Sequence, residues 1–494
     1  MVFSSIVFLF RFLPAALIIM YITPDRYKNI ALTLLSLIFY SYGEAKYILL
    51  MAASILADFT AGLFIYKYRF DSSKVMAEIE GSSDIQSKEY KHTGNSRKGM
   101  SILCLSLIFN LGMLFIFKYL NFFIELINSI FNLKISHVDI TLPLGISFYT
   151  FQTMSYSIDV YKGRIEPERN IINFAAFVTL FPQLIAGPIV KYSDIQHDLK
   201  ERDIRSYKIG EGIEKFILGL GRKVLIANNI GMLWTEAVNM GFTNISTFTA
   251  YLGILSFSLQ IYFDFSGYSL MAQGIGSMLG FDFPENFNYP YISKSISEFW
   301  RRWHITLGSW FKEYVYIPLG GNRRGNLITI RNLFIVWILT GLWHGAGLNF
   351  ILWGFMFFCL ITLEKCGFSK VLKRHRIFSH VYTLFFLLLG WVLFSIEDYG
   401  DFKLFMHRLF VYEKGTDYLY YLRNYGISLA LGIFFSLPYA SEHYTKALNM
   451  LKSKGKKGTV YSEIINTSVL MALFIISTAY LVDATYNPFL YFRF

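Results

Sequence analysis

The sequence predicts an all-α fold, a polytopic integral membrane protein of about ten to twelve membrane helices with re-entrant or broken segments around a central tunnel. Three observations predict it. Of the 494 residues, 54% are hydrophobic and only 16% are charged, far more apolar than an ordinary soluble chain. Apolar runs of about 20 residues, the length that spans a bilayer, recur from Ser5 to the end with only short polar loops between them. Two of these runs, 174–190 and 332–363, start and finish beside basic residues, so each has to turn back inside the membrane. Residues 1–494 therefore read as a single membrane domain. Within it, 1–280 hold the N-terminal helices, 281–363 a core segment, and 364–494 the C-terminal helices and an external aromatic tail.

The first 22 residues have neither a basic start nor a small-residue cleavage site, and read as a retained helix from about Ser5 to Ile22. The basic loops 67–98, 191–223, 365–376 and 446–457 belong on the cytoplasmic side, where Lys and Arg accumulate. With the N-terminus external, helices at about 30–42 and 47–66 bring the chain to the first of these loops. The run 101–131 then leaves and 142–161 returns. In 174–190, Pro182 and the Gly187-Pro188 pair break the helix, and its freed backbone groups need cover from protein or a water-filled cavity. Runs 213–238 and 248–270 form the next out-and-back pair. Run 332–363 turns at Gly341, Gly345 and Gly347, where glycine permits a bend and close backbone approach. Runs 384–394, 427–439 and 464–481 complete the topology and leave the C-terminus external.

The net charge of +12 follows from the cytoplasmic loops and requires no nucleic-acid partner. Cys104, Cys359 and Cys366 form no Cys-x-x-Cys pair, so neither a disulfide frame nor a metal site is indicated. They read as buried small hydrophobes.

The chemistry centres on histidine. His344 lies in 332–363, a segment without Lys, Arg, Asp or Glu. An ionisable side chain at membrane depth is costly and usually serves a site or a proton path, the bland alternative being a neutral ring bonded to a helix carbonyl. Upstream, SISEFWRRWHITLGSWFKEYVYIPLGGNRRG (Ser295 to Gly325) supplies a second histidine. On a continuous helix Trp300, Trp303, His304, Leu307 and Trp310 share one face, with Arg301, Arg302 and Lys312 projecting elsewhere. Read alone, the stretch also fits an interfacial helix with a Trp belt and snorkelling Arg. Pro318 to Asn322 ends it and sets Arg323 and Arg324 at the cytoplasmic entrance. Asp264 and Asp58, each inside an apolar run, read equally as site groups or as structural hydrogen-bonding residues.

Four stretches together carry a resemblance: FDFSGYSLMAQGIG (263–276), FPENFNYPYISKSISEFWRRWH (283–304), YIPLGGNRRG (316–325) and GLWHGAGLNFILWG (341–354). They resemble the bacterial membrane-bound O-acyltransferases, in particular the subgroup of alginate and peptidoglycan O-acetylation membrane proteins. The continuous match runs from about Tyr262 to Leu363. The resemblance implies His344 as the catalytic histidine, His304 as its partner, and Trp300, Trp303, Trp343 and Asp264 as tunnel residues. A histidine of near-neutral pKa suits removal of the acceptor hydroxyl proton, with His304 orienting it or supporting the thioester carbonyl. Acetyl-coenzyme A is then the donor substrate, and no metal is called for. Arg301, Arg302, Lys312, Arg323 and Arg324 are the phosphate candidates, although positive-inside placement predicts all five equally well.

The tail NPFLYFRF (487–494) reads from residue types alone as an interfacial anchor. The resemblance makes Tyr491 an acyl carrier, since a phenol ester has a better leaving group than an alkyl ester. It further implies a bacterial inner-membrane location, membrane lipid around the chain, an SGNH-type extracytoplasmic acyltransferase as partner and a surface polysaccharide as acceptor. The rival class is a transporter or polysaccharide exporter without acyl transfer. Such proteins often carry paired repeats, and the sequence has none.

Overall fold

The computed structural model describes residues 1–69, 96–185, 187–483 and 487. The chain divides into two compact units, one of Phe10–Ile209 with Gly276–Phe283, the other of Val2–Leu9, Gly210–Ile275 and Pro284 onwards. Seven helices among the described residues are long and apolar enough to cross a membrane, and the helical stretch Phe8–Ile22 is apolar but shorter.

The first unit is built from α1 (Leu13–Ile22), α2 (Lys28–Glu44), α3 (Ile48–Arg69), α4 (Ser96–Leu114), α5 (Leu120–Phe131), α6 (Ile146–Lys162), α7 (Ile171–Thr179), α8 (Phe181–Leu184) and α9 (Tyr192–Lys200). A single 3-10 turn, Ala45–Tyr47, separates α2 from α3, as the expected pair requires. Helix α6 is buried all round from Ile146 to Ser157, so it can carry Tyr149, Thr150, Gln152, Thr153 and Ser155 without meeting lipid. It packs against α3 and α4. Asp58 of α3 is fully buried there and accepts from Ser106 Oγ at 2.5 Å, Asn110 Nδ2 at 2.8 Å and Ser157 Oγ at 3.1 Å. Three donors from two neighbouring helices give the carboxylate a structural role in tying α3, α4 and α6 together.

The expected break in 174–190 falls at Leu180, between α7 and α8. Its freed backbone groups find side chains. Phe181 N–H donates to Ser36 Oγ at 3.2 Å, and Gln183 Nε2 donates to the Phe177 carbonyl at 2.6 Å. Protein, in this case, covers the broken helix.

The second unit holds α10 (Ser206–Gly221), α11 (Asn228–Met240), α12 (Thr247–Met278), α13 (Ile296–Arg302), α14 (Ile305–Phe311), α15 (Asn326–His344), α16 (Leu348–Leu363), α17 (Ser369–Arg374), α18 (Arg376–Ser395), α19 (Tyr399–Phe410), α20 (Asp417–Phe435), α21 (Tyr439–Lys452) and α22 (Lys456–Asp483). Helices α15 and α16 form the hairpin expected of 332–363, turning through residues 345–347. Two glycines let the arms touch backbone to backbone. A Cβ on Gly341 would stand 2.4 Å from the Phe350 carbonyl oxygen, and one on Gly354 2.4 Å from that of Trp337. Neither neighbour is a side chain that can move aside.

Cys104, Cys359 and Cys366 are exposed rather than buried, which corrects the sequence-based expectation. For Cys104 and Cys359, an apolar run implies burial in protein only where water is the alternative, and the outer face of a membrane helix meets lipid instead; Cys366 stands in the basic loop 365–376.

Asp264 of α12 is buried and ion-paired with buried Lys223, the Nζ to Oδ1 distance being 2.5 Å. Removing one partner leaves a charge in an apolar interior, which costs about 3–5 kcal/mol, whereas removing both at similar volume is close to neutral. Asp264→Leu is therefore expected to lower thermal stability in detergent strongly, and Lys223→Met with Asp264→Leu to recover most of the loss. Additive losses in the double variant would contradict the pairing.

Candidate active site

The stretch Ser295 to Phe311 is not one helix. Helix α13 ends at Arg302, and His304 takes the left-handed conformation at φ 43°, ψ 55° before α14 begins. The expected common face of Trp300, Trp303, His304, Leu307 and Trp310 is thereby broken. The cause is the segment 286–288, which runs alongside and takes over the hydrogen bonds that a continuous helix would make. In such a helix the Arg302 carbonyl would accept from Thr306 N–H. Instead it accepts from Asn288 N–H at 2.9 Å, while Thr306 N–H donates to Asn286 Oδ1 at 3.2 Å and Ile305 N–H to the Asn286 carbonyl at 3.0 Å. Phe287 and Trp303 form an antiparallel bridge between these two bonded pairs.

Helix α13 is fixed at its other end by a residue far along the chain. Glu364, just beyond α16 and buried, accepts from Ile296 N–H at 2.7 Å and Ser297 N–H at 2.9 Å. The Ser295 hydroxyl takes the next donor, Glu298 N–H, at 3.0 Å. Three of the N–H groups that a helix start leaves open are satisfied in this way.

The two histidines come together through aromatic rings. His304 is 1% exposed and His344 5%. The Trp343 ring centroid lies 6.0 Å from that of His304 and 4.9 Å from that of His344, so the one indole touches both. Phe265 stands edge-on to His304 at 4.7 Å. Trp353 and Phe394 stand edge-on to His344 at 5.0 and 5.1 Å. Trp300 packs on Trp353 at 5.3 Å and on Trp337 at 5.0 Å. Trp303 lies one layer away, against Phe299 and Trp391. Burial lowers the pKa of the His304 imidazole below its ordinary value, because a charged ring is poorly solvated there. Burial thus favours the neutral ring.

The five cations separate. Arg301, Lys312, Arg323 and Arg324 are exposed, whereas Arg302 is half-buried and engaged with Glu298 at 3.0 Å and the Asn288 carbonyl at 3.2 Å. Asp264 holds Lys223, as above. Tyr491 lies outside the described residues. Asn487, at the base of that tail, donates to the Ser4 carbonyl at 2.7 Å and accepts from Asn228 Nδ2 at 3.1 Å. Sequence reasoning missed Asn286, Glu364, Trp353 and Phe394. Asn286 and Trp353 carried a signal, since both lie in stretches that carry the resemblance, and Trp353 also shares the charge-free segment with His344.

A buried pair of histidines in an aromatic enclosure suits proton transfer in a water-poor site. A family model described as MBOAT, membrane-bound O-acyltransferase family, matches residues 167–396. The chain is 36% identical to the probable alginate O-acetylase AlgI of Pseudomonas putida, over 100% of both chains. The chain belongs to the membrane-bound O-acyltransferase family. It is also 34% identical to a peptidoglycan O-acetyltransferase of Helicobacter pylori, over 81% of this chain and 77% of that one. With a teichoic acid D-alanyltransferase of Bacillus subtilis it shares 28% identity, over 51% of this chain and 68% of that one. The protein is thus a multi-pass membrane acyltransferase, and both histidines fall within the matched residues.

Glu364 offers a direct test of how this acyltransferase site is held. Glu364→Ala removes a charged acceptor from two backbone donors, a loss of about 1–3 kcal/mol, and frees the start of the helix that leads to His304. Thermal unfolding should shift down and turnover should fall with it. Glu364→Gln, which keeps one acceptor oxygen, should lose less of each. Unchanged turnover in Glu364→Ala would show that α13 needs no cap to present His304.

Proposed function

We propose that the protein takes an acetyl group from cytoplasmic acetyl-coenzyme A and passes it across the membrane for O-acetylation of an extracytoplasmic polysaccharide. The observation that carries the proposal is the contact of Trp343 with both buried imidazoles. It supports the proposal because two buried imidazoles, a side-chain type suited to proton transfer, share one aromatic neighbour, and a water-poor site favours acyl transfer to a hydroxyl over hydrolysis. The relatives' names support polysaccharide as the acceptor class, since two of them name alginate and peptidoglycan.

Arg301, Lys312, Arg323 and Arg324, all exposed, are the residues proposed to meet the coenzyme A phosphates, guanidinium and ammonium being the usual phosphate partners. Arg302 is left out of that set because Glu298 already engages it. Tyr491 is proposed to receive the acetyl group outside the membrane. There it hands the group on to an extracytoplasmic transferase of the SGNH type. The location this requires is the bacterial inner membrane, with both chain ends external.

The test is coenzyme A release and intact mass after incubating purified protein with acetyl-coenzyme A. Wild type is expected to release coenzyme A and to gain an acetyl-sized mass on the peptide containing Tyr491. His344→Ala and His304→Ala should each lower release by about 100-fold or more, the usual contribution of acid–base groups. Tyr491→Phe should abolish the added mass. Release with Tyr491 unmodified would replace the carrier by direct transfer. Absence of release from acetyl-coenzyme A, with the external partner supplied, would overturn the donor.

A further inference from the structure

The proton on His304 can be located from its neighbours. Thr306 N–H is a backbone donor with no acceptor capacity, so the Asn286 atom 3.2 Å from it is the amide oxygen. The same oxygen lies 3.0 Å from His304 Nδ1 and 2.9 Å from Thr306 Oγ1. An amide oxygen donates nothing. Nδ1 must therefore carry a proton, and on a neutral ring the lone pair then sits on Nε2.

We propose that Asn286 is a positioning residue that fixes this tautomer and presents His304 Nε2 as a proton acceptor, which gives His304 the base role in acyl transfer. The inference rests on the acetyl-transfer reading above and deepens it. A ring with its only N–H held by Asn286 has nothing to offer the thioester carbonyl, so the supporting role is excluded for neutral His304. In the step assigned to it, the acceptor hydroxyl passes its proton to Nε2 as its oxygen bonds to the thioester carbonyl carbon. The carbon–sulfur bond breaks, and the proton leaves Nε2 with the departing sulfur, which is released as the thiol. Throughout, the Nδ1–H stays on the Asn286 oxygen, which also steadies the transient imidazolium. This is the relation an Asn bears to the histidine in Cys-His-Asn proteases.

The backbone around the ring supports a positioning role. A non-glycine residue in the left-handed region is strained, and such strain persists only where the surroundings over-determine it. Asn286 supplies two of the constraints, its carbonyl to Ile305 N–H and its side chain to Thr306 N–H. Phe265, edge-on at 4.7 Å, packs the ring itself.

The experiment uses full-length protein in nanodiscs, 15N-labelled at histidine, as wild type, Asn286→Asp and Asn286→Leu, with His304→Gln to assign the signal. Two readouts are taken, the imidazole nitrogen spectrum at neutral pH and the pH dependence of coenzyme A release. Wild type should show His304 protonated at Nδ1 and bare at Nε2. Asn286→Asp keeps the acceptor for Thr306 and adds a negative charge beside Nδ1, which favours the protonated ring. Its acid limb should then move up by about one pH unit or more, with KM for acetyl-coenzyme A unchanged. Asn286→Leu should lose the single tautomer and most of kcat. Should Asn286→Leu fail to fold, the Asp variant still separates positioning from mere packing, because packing alone would leave the acid limb where it was. A proton on Nε2 in wild type, or an unmoved acid limb in Asn286→Asp, overturns the proposal. If wild type releases no coenzyme A, the donor reading fails, and the nitrogen spectrum still decides the tautomer.

Discussion

The Glu364 carboxylate on the first N–H groups of α13 is the contact on which the site depends. A helix start has open donors that need acceptors, and at this one Ile296 is buried. Glu364 supplies the acceptor from the far end of the α15–α16 hairpin, the same hairpin that carries His344. One carboxylate thereby joins the element bearing one histidine to the element leading to the other. To the ring contacts of Trp343 with the two histidines it adds the direction of a hydrogen bond. The same rule operates elsewhere in the chain. Asp58 collects two hydroxyls and an amide, Asp264 collects Lys223, and the Gln183 side chain takes the Phe177 carbonyl near the break at Leu180.

What was legible in the sequence was whatever glycine, proline and charge mark locally. The α15–α16 turn follows from Gly345 and Gly347, and the break at Leu180 from Pro182 just after it. His344 was conspicuous because 332–363 holds no Lys, Arg, Asp or Glu. What was hidden depends on a distant segment. Nothing between Ser295 and Gly308 announces a helix break at Trp303 and His304, since neither glycine nor proline stands there. The break is imposed by Asn286 to Asn288, whose hydrogen bonds replace those of the helix. Glu364 was hidden for a related reason. It sits beside Lys365 at the end of an apolar run, where a charge reads as an interfacial residue rather than as a cap for a helix some seventy residues earlier in the chain. The cysteines failed differently, because hydropathy does not distinguish a lipid-facing position from a protein-facing one.

The broken helix also sets the two histidines in different surroundings. His304 leads into α14 from a strained turn, and Asn286 occupies its Nδ1. His344 closes α15 and is surrounded by Trp343, Trp353 and Phe394. The first ring meets an amide oxygen, and three aromatic rings pack the second. A continuous helix through 304 would send Thr306 N–H to the Arg302 carbonyl and remove one of the donors that gather at the Asn286 oxygen. The identity of the amide atom facing His304, and with it the tautomer, would then be open to rotation of the Asn side chain. The left-handed turn, a local cost of about 1–3 kcal/mol, is thus tied to a chemical outcome. By bringing a backbone donor to Asn286 it fixes which end of the amide meets the ring, and so which nitrogen of His304 carries the proton.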